Sequence, residues 1–316
     1  MDEKSENLQS QPKNNQLASK LVVLAVLISV TWIATMFVWG VVQDRENRQE
    51  EASGLISEQW RRPQTIAGPV LTIPVEKTNV TAEGERVVKL ATLTLLPKDL
   101  VYDSQVGTEL LKRGVYEIPV YTTTVSGSGN FNLSDIEKRS LAGARILWDQ
   151  AVVSVNVTDP RGISSMFNLA FNGKQYEMQP SSKFRALDSS GVHTNVAIDS
   201  NQTDHQFSFA LPLKGSREIS YLPLGENTDV TVDSSWKAPN FTGAFLPENR
   251  EVTKDGFKAD WKITPYGKNL PQSWLGTVAV DRETLRSKAF GVGLYQAVDF
   301  YTMVNRATKY SILLSV

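Results

Sequence analysis

The sequence predicts a mainly-β protein: an antiparallel, β-sandwich-like domain following one N-terminal transmembrane helix. Three observations carry this. Residues 21–42 read LVVLAVLISVTWIATMFVWGVV, with no charge among them. Beyond residue 63, short runs of Val, Thr, Ile, Leu and aromatic residues recur, several in strict alternation. Clusters of Gly, Asn, Asp and Ser separate them, and Asn-Gly and Asp-Gly supply the positive φ angles that tight hairpins need.

In chain order, residues 1–20 are polar, lack apolar periodicity and are expected to be a disordered tail. As a helix, 21–42 would be roughly 33 Å long, enough to cross a hydrocarbon core of about 30 Å. Its Ser29, Thr31 and Thr35 hydroxyls are expected to bond back to carbonyls one turn earlier. Trp39 sits near one end, at interfacial depth. The run ends without a small-residue cleavage site, so it is expected to remain as an anchor. Lys13 and Lys20 before it and Arg45 and Arg48 after it are nearly balanced, so charge leaves its orientation open. Residues 43–62 predict a helical stalk with Leu55, Ile56 and Trp60 on one face, ended by Pro63.

The β-rich domain is expected over 63–305. Strands are predicted at 70–76, 87–96, 115–125, 151–157, 207–213, 229–236 and 257–263. Turns are predicted at Glu83-Gly84, Gly127-Ser-Gly-Asn130, Asn172-Gly173 and Lys254-Asp-Gly256. Two helical interruptions are expected, one at 98–106 and one opening at Ser134, which has capping-box spacing to Glu137. Phe241, Phe245, Phe257 and Trp261 are expected to cluster as core aromatics. Residues 306–316 place Arg306 and Lys309 before a short apolar run. That pattern fits the start of a second membrane segment, and its alternation also fits a C-terminal core strand.

Composition narrows the function. With 41% hydrophobic and 21% charged residues, the chain can bury a sizeable core. A net charge of −1 argues against a nucleic-acid binder. With no cysteine, there is no disulfide scaffold, thiolate metal site or cysteine nucleophile.

Several stretches together resemble one family. They are RPQTIAGPVLTIPV (62–75), KRGVYEIPVY (112–121), SVNVTDPRGI (154–163), WKAPNFTGAFLP (236–247), GFKADW (256–261) and RATKYSILL (306–314). Their order and spacing resemble the CreD family of bacterial inner-membrane proteins associated with cell-envelope integrity. The resemblance implies a cytoplasmic tail, a periplasmic β domain and further membrane helices. The sequence stops where the second of these helices begins, so it is expected to be a truncated form or a fragment. The implied function is non-enzymatic support of envelope integrity and the envelope-stress response. Implied partners are the lipid bilayer and an envelope protein or cell-wall component, with no cofactor.

The residues offer little chemistry. His193 and His205 lie in an Asn/Ser/Asp-rich region near Asp199 and Asp204, and are expected to be solvated loop residues, not metal ligands. Ser234-Ser-Trp-Lys237 matches the S-x-x-K of penicillin-recognising enzymes. It closes a strand-like run, however, where residues three apart face opposite sides. Its usual companions are only approximated, by Lys77-Thr-Asn79 and Ser134-Asp-Ile136. No catalytic, cofactor-binding or metal residue is therefore expected. The alternatives are a membrane-anchored hydrolase of peptidoglycan or its precursors using Ser234 and Lys237, and a sensory ectodomain, for which a twenty-residue tail supplies no output domain.

Overall fold

A computed structural model describes residues 14–80, 86–113, 116–136, 141, 143–184, 186–187, 190–276 and 281–294. The first thirteen residues of the expected tail, the Glu83-Gly84 turn and the whole of 306–316 lie outside these residues. Helix α1 (Asn14–Gln59) takes in the rest of the expected tail, the apolar run and most of the stalk. Its segment Ala18–Val41 has a mean hydropathy of 2.6 and is nowhere buried. The Ser29, Thr31 and Thr35 hydroxyls donate to the carbonyls of Ala25, Leu27 and Thr31, each at 2.8 Å, which suits them to an apolar solvent. Two compact units result, one carrying Met1–Glu51 and the other formed by Ala52–Ala297.

The second unit is built of strands. In order they are β1 (Gln64–Val80), β2 (Arg86–Leu95), β3 (Asp99–Arg113), β4 (Tyr116–Asn132), β5 (Ala144–Ile146), β6 (Val152–Val157), β7 (Asn168–Phe171), β8 (Lys174–Glu177) and β9 (Gln179–Pro180). There follow β10 (Gly191–Asn195), β11 (Asp204–Ser216), β12 (Glu218–Tyr221), β13 (Asn227–Ser234), β14 (Pro239–Gly243), β15 (Asn249–Val252) and β16 (Phe257–Ile263). Helix α2 (Pro265–Lys268), β17 (Ser273–Leu275), α3 (Arg282–Arg286) and β18 (Phe290–Leu294) complete it. One sheet runs β14-β18-β12-β1-β6-β10-β9, with β2 and β5 also paired to β1 and β17 paired to β2; the other runs β15-β16-β13-β3-β4-β11-β7-β8. Neighbours are antiparallel except at β1–β12 and β3–β13, which are parallel.

All seven predicted strands are present, and alternation explains the core. Along β11, His205, Phe207, Phe209, Leu211 and Leu213 are buried while Asp204, Gln206, Ser208 and Ala210 are exposed. The expected aromatic cluster forms, joined by Phe290: Phe241 lies 5.9 Å from both Phe257 and Trp261, and Phe290 lies 5.7 Å from Trp261 and 5.8 Å from Phe245. Between the sheets the Tyr221 hydroxyl donates to Ser104 Oγ at 2.6 Å, and Tyr102 donates to the Gly68 carbonyl.

Three local expectations are corrected. Residues 98–106 do not form a helix; they lie largely in β3, where Leu100, Tyr102, Ser104 and Val106 face inward with a period of two. The Gly127–Asn130 stretch is not a turn but the interior of β4. There Phe209 pairs with Gly127 and Phe207 with Gly129, and a Cβ at Gly127 would stand 2.2 Å from the Phe209 ring. The glycines leave room for rings from the neighbouring strand. At Ser134 a single 3₁₀ turn forms, capped by Asn132, whose Oδ1 accepts the Ser134 N–H at 2.9 Å; Glu137 lies outside the described residues. The other turns are as expected: Asn172 (φ 47°) and Gly173 (φ 77°) join β7 to β8, and Lys254–Gly256 joins β15 to β16.

Candidate functional site

Ser234 is buried at the end of β13, and its hydroxyl is committed to backbone groups. It donates to the Val106 carbonyl at 2.8 Å and accepts the Trp236 N–H at 3.2 Å. Lys237 lies past the strand end and is exposed. The histidines are not loop residues: His193 sits in β10 and His205 in β11, in different sheets. His205 is fully buried because its position falls on the inward face of β11. Asn172 Nδ2 donates to its Nδ1 at 2.7 Å and its Nε2 donates to the Gln202 carbonyl at 3.0 Å, while Phe171 stacks on the ring at 5.7 Å. Burial pushes its pKa down, so the ring is a neutral packing element. No group of three or more metal-ligating side chains occurs among the described residues.

A different surface stands out once the strands are assembled. The outward face of β3, β4 and β11 carries Asp99, Val101, Asp103 and Gln105, then Thr122, Thr124, Ser126, Ser128 and Asn130, then Asp204, Gln206, Ser208 and Ala210. Their shortness hollows the sheet into two grooves in adjacent rows. One, of about 860 Å³, is lined by Asp99, Ser128, Asn130, Asp204 and Gln206, among others. The other, of about 590 Å³, is lined by Asp103, Gln105, Thr122, Thr124 and Ser126 with Pro212. Carboxamides fix the carboxylates at one end: Asp204 accepts from Asn130 Nδ2 at 3.0 Å and Asn132 Nδ2 at 2.8 Å, and Asp99 from Asn227 Nδ2 at 2.9 Å. No single segment displays this face, because each strand contributes every other residue; the only sequence signal was short polar residues at the outward positions of separate strands.

The sequence matches the family model described as "Inner membrane protein CreD" over residues 16–316. The chain belongs to the CreD family. A relative of this CreD-family chain is inner membrane protein CreD of Escherichia coli (strain K12), 27% identical over 301 residues, which are 93% of this chain and 65% of the relative. The chain thus spans just under two thirds of that curated relative's length. Among solved structures, an M1 zinc metallopeptidase from Deinococcus radiodurans is similar at a TM-score of 0.25 and 9% identity, covering 63% of this chain and 42% of that one. A two-domain M1 zinc metallopeptidase is similar at a TM-score of 0.22 and 9% identity, covering 63% and 44%. Likeness at that level carries no argument.

Two of the stretches by which the chain resembles CreD proteins meet where β1 begins. Gln64 Nε2 donates to the Asp159 carbonyl at 3.2 Å, and the Asp159 N–H donates to Gln64 Oε1 at 3.1 Å. Arg161 clasps the Asp159 carboxylate with two 2.8 Å bonds and holds its pKa below the usual range. Gly162 allows the close approach, since a Cβ there would stand 2.5 Å from the Lys214 carbonyl. Beside this junction Trp60 packs on Ile118 and Val120, with Lys214 Nζ 5.2 Å over its ring. In this CreD-family domain these residues tie the two sheets together.

Proposed function

We propose that this inner-membrane CreD-family protein holds its β domain on the periplasmic side and supports cell-envelope integrity by binding, without catalysis. The observation that carries the reading is the family match over residues 16–316, which includes both the apolar span of α1 and the β domain. On the same proposal the tail lies on the cytoplasmic side and the protein has a role in envelope stress, with the family relationship as support. The hydrolase alternative has its candidate hydroxyl committed to Val106 and Trp236, with Lys237 beyond the strand end.

Protease added to intact spheroplasts expressing the chain is expected to digest the β domain. A domain that survives until lysis overturns the orientation, and release of the chain by alkaline carbonate overturns the anchor. A fluorescent penicillin is expected to leave the protein unlabelled; labelling that disappears in Ser234→Ala establishes the hydrolase instead.

A further inference from the structure

The grooved face of the second sheet has a one-sided chemistry. Over residues 99–105 of β3, 122–130 of β4 and 204–210 of β11 its hydrogen-bonding groups are hydroxyls, carboxamides and the carboxylates of Asp99, Asp103 and Asp204. Lys214, farther along β11 and opposite Thr122, is engaged over the Trp60 ring. Among the described residues none of these three carboxylates forms an ion pair. Asp229 and Asp233 on neighbouring β13 add two more, but they stand opposite Lys262 and Lys258 of β16, which offset them. Lys98 lines one end of the face.

We infer that this face binds an extended cationic peptide, lying along β3 with basic side chains opposite Asp99 and Asp103; the inference rests on the reading of the β domain as a binding module. Charge complementarity selects the occupant. A phosphate-bearing or nucleic-acid ligand would meet carboxylates where it needs cations. An apolar peptide or lipid would find Val101 as the one large apolar side chain among the outward residues of the rows 99–105, 122–130 and 204–210. A sugar would find no ring to stack on within these rows, because Tyr102, Phe207 and Phe209 point into the core, as do neighbouring Tyr121 and Phe131. Spacing selects the extended form. Asp99 and Asp103 are four residues apart on one strand, about 13 Å, and an extended peptide repeats every fourth side chain at about the same distance and on the same face. The short hydroxyl and amide side chains of β4 leave room for its backbone and offer it hydrogen-bond partners.

The test uses the full chain in detergent micelles and a fluorescein-labelled peptide with lysine at every fourth position and serine between. Saturable binding is expected, weakened at least tenfold between low and high salt. It is expected to fall at least tenfold in Asp103→Lys and in Ser126→Lys, both at exposed positions, with thermal melts confirming that each variant is folded. The glutamate version of the peptide and a neutral chitin oligomer are expected not to bind. Absence of binding by the lysine peptide, binding that neither variant weakens, or equal binding of the glutamate peptide or the chitin oligomer overturns the proposal. These outcomes leave the spheroplast result untouched, so a wrong ligand and a wrong orientation are told apart.

Discussion

Lys268, in the last turn of α2, is wholly shielded from solvent yet carries an ammonium. Its Nζ donates to the Gly225 carbonyl. With the Gln272 carboxamide turned so that its nitrogen donates to the Pro97 carbonyl, Nζ also reaches the Gln272 oxygen at 3.1 Å. Burial pushes the group down to about 8, and the negative charge of Glu226 opposes that shift only in part. The folded pKa lies below the unfolded one, so between them the unfolded chain binds more protons and stability rises with pH. Lys268→Met removes that rise. From pH 8 to 10 the melting temperature of the parent is expected to climb relative to the variant, and parallel curves would show that the ammonium is not shielded. Ser234→Ala tests a smaller cost. It strips the Val106 carbonyl and Trp236 N–H of one partner, and chemical denaturation is expected to show a loss of about 1–2 kcal/mol.

At the level of the strand, glycines of β4 and of the β7–β8 turn are needed for opposite reasons. A methyl group at Gly127 would collide with the Phe209 ring, whereas at Gly173 nothing lies within 4 Å and the constraint is a φ of +77°. Gly173→Ala is therefore expected to cost about 1–2 kcal/mol whatever surrounds it. Gly127→Ala is expected to cost about 1–3 kcal/mol, and a large share of that is expected to vanish when Phe209 is shortened to Leu. Denaturation of the two singles and the double settles it; simple additivity would show that the ring is not what Gly127 accommodates. The same contrast explains what the sequence disclosed. Asn172-Gly173 announces a turn because the reason for the glycine is local. Gly-Ser-Gly-Asn has the same local chemistry, but the reason for Gly127 and Gly129 is a pair of phenylalanines on β11, far along the chain. Seven strands were legible because β-branched or aromatic residues recur within each; β3 was read as helix, and the shorter β5, β7–β10, β12, β14, β15, β17 and β18 were not predicted. The grooved face was not, because it exists only across three strands.

For the molecule as a whole, the β unit packs within itself and the apolar segment of α1 contributes nothing buried. A chain beginning at residue 52 is expected to be extractable without detergent and to show a β-type circular dichroism spectrum; an unfolded spectrum would show that the domain needs its helix. Strand pairing also fixes a timetable for synthesis. β1 leaves the ribosome before every other strand, yet Gln64 pairs with Ile219, and β12 in turn pairs with β18 close to the end of the described chain. The closure entropy of those distant pairings must be met before contacts reward it. β3 and β4 differ, pairing in register from Asp99 and Asn130 down to Arg113 and Tyr116, which makes them a hairpin able to zip as it emerges. The first sheet has a hairpin of the same kind in its own half, β1 with β2 from Leu71 and Leu95 to Val80 and Arg86, but the start of β1 has no local partner. Until β12 arrives, Gln64, Thr65 and Ile66 at the start of β1 stand without their parallel neighbour, and Ile66, buried in the finished domain, lacks that cover. That interval is when a holding factor would have the most to protect.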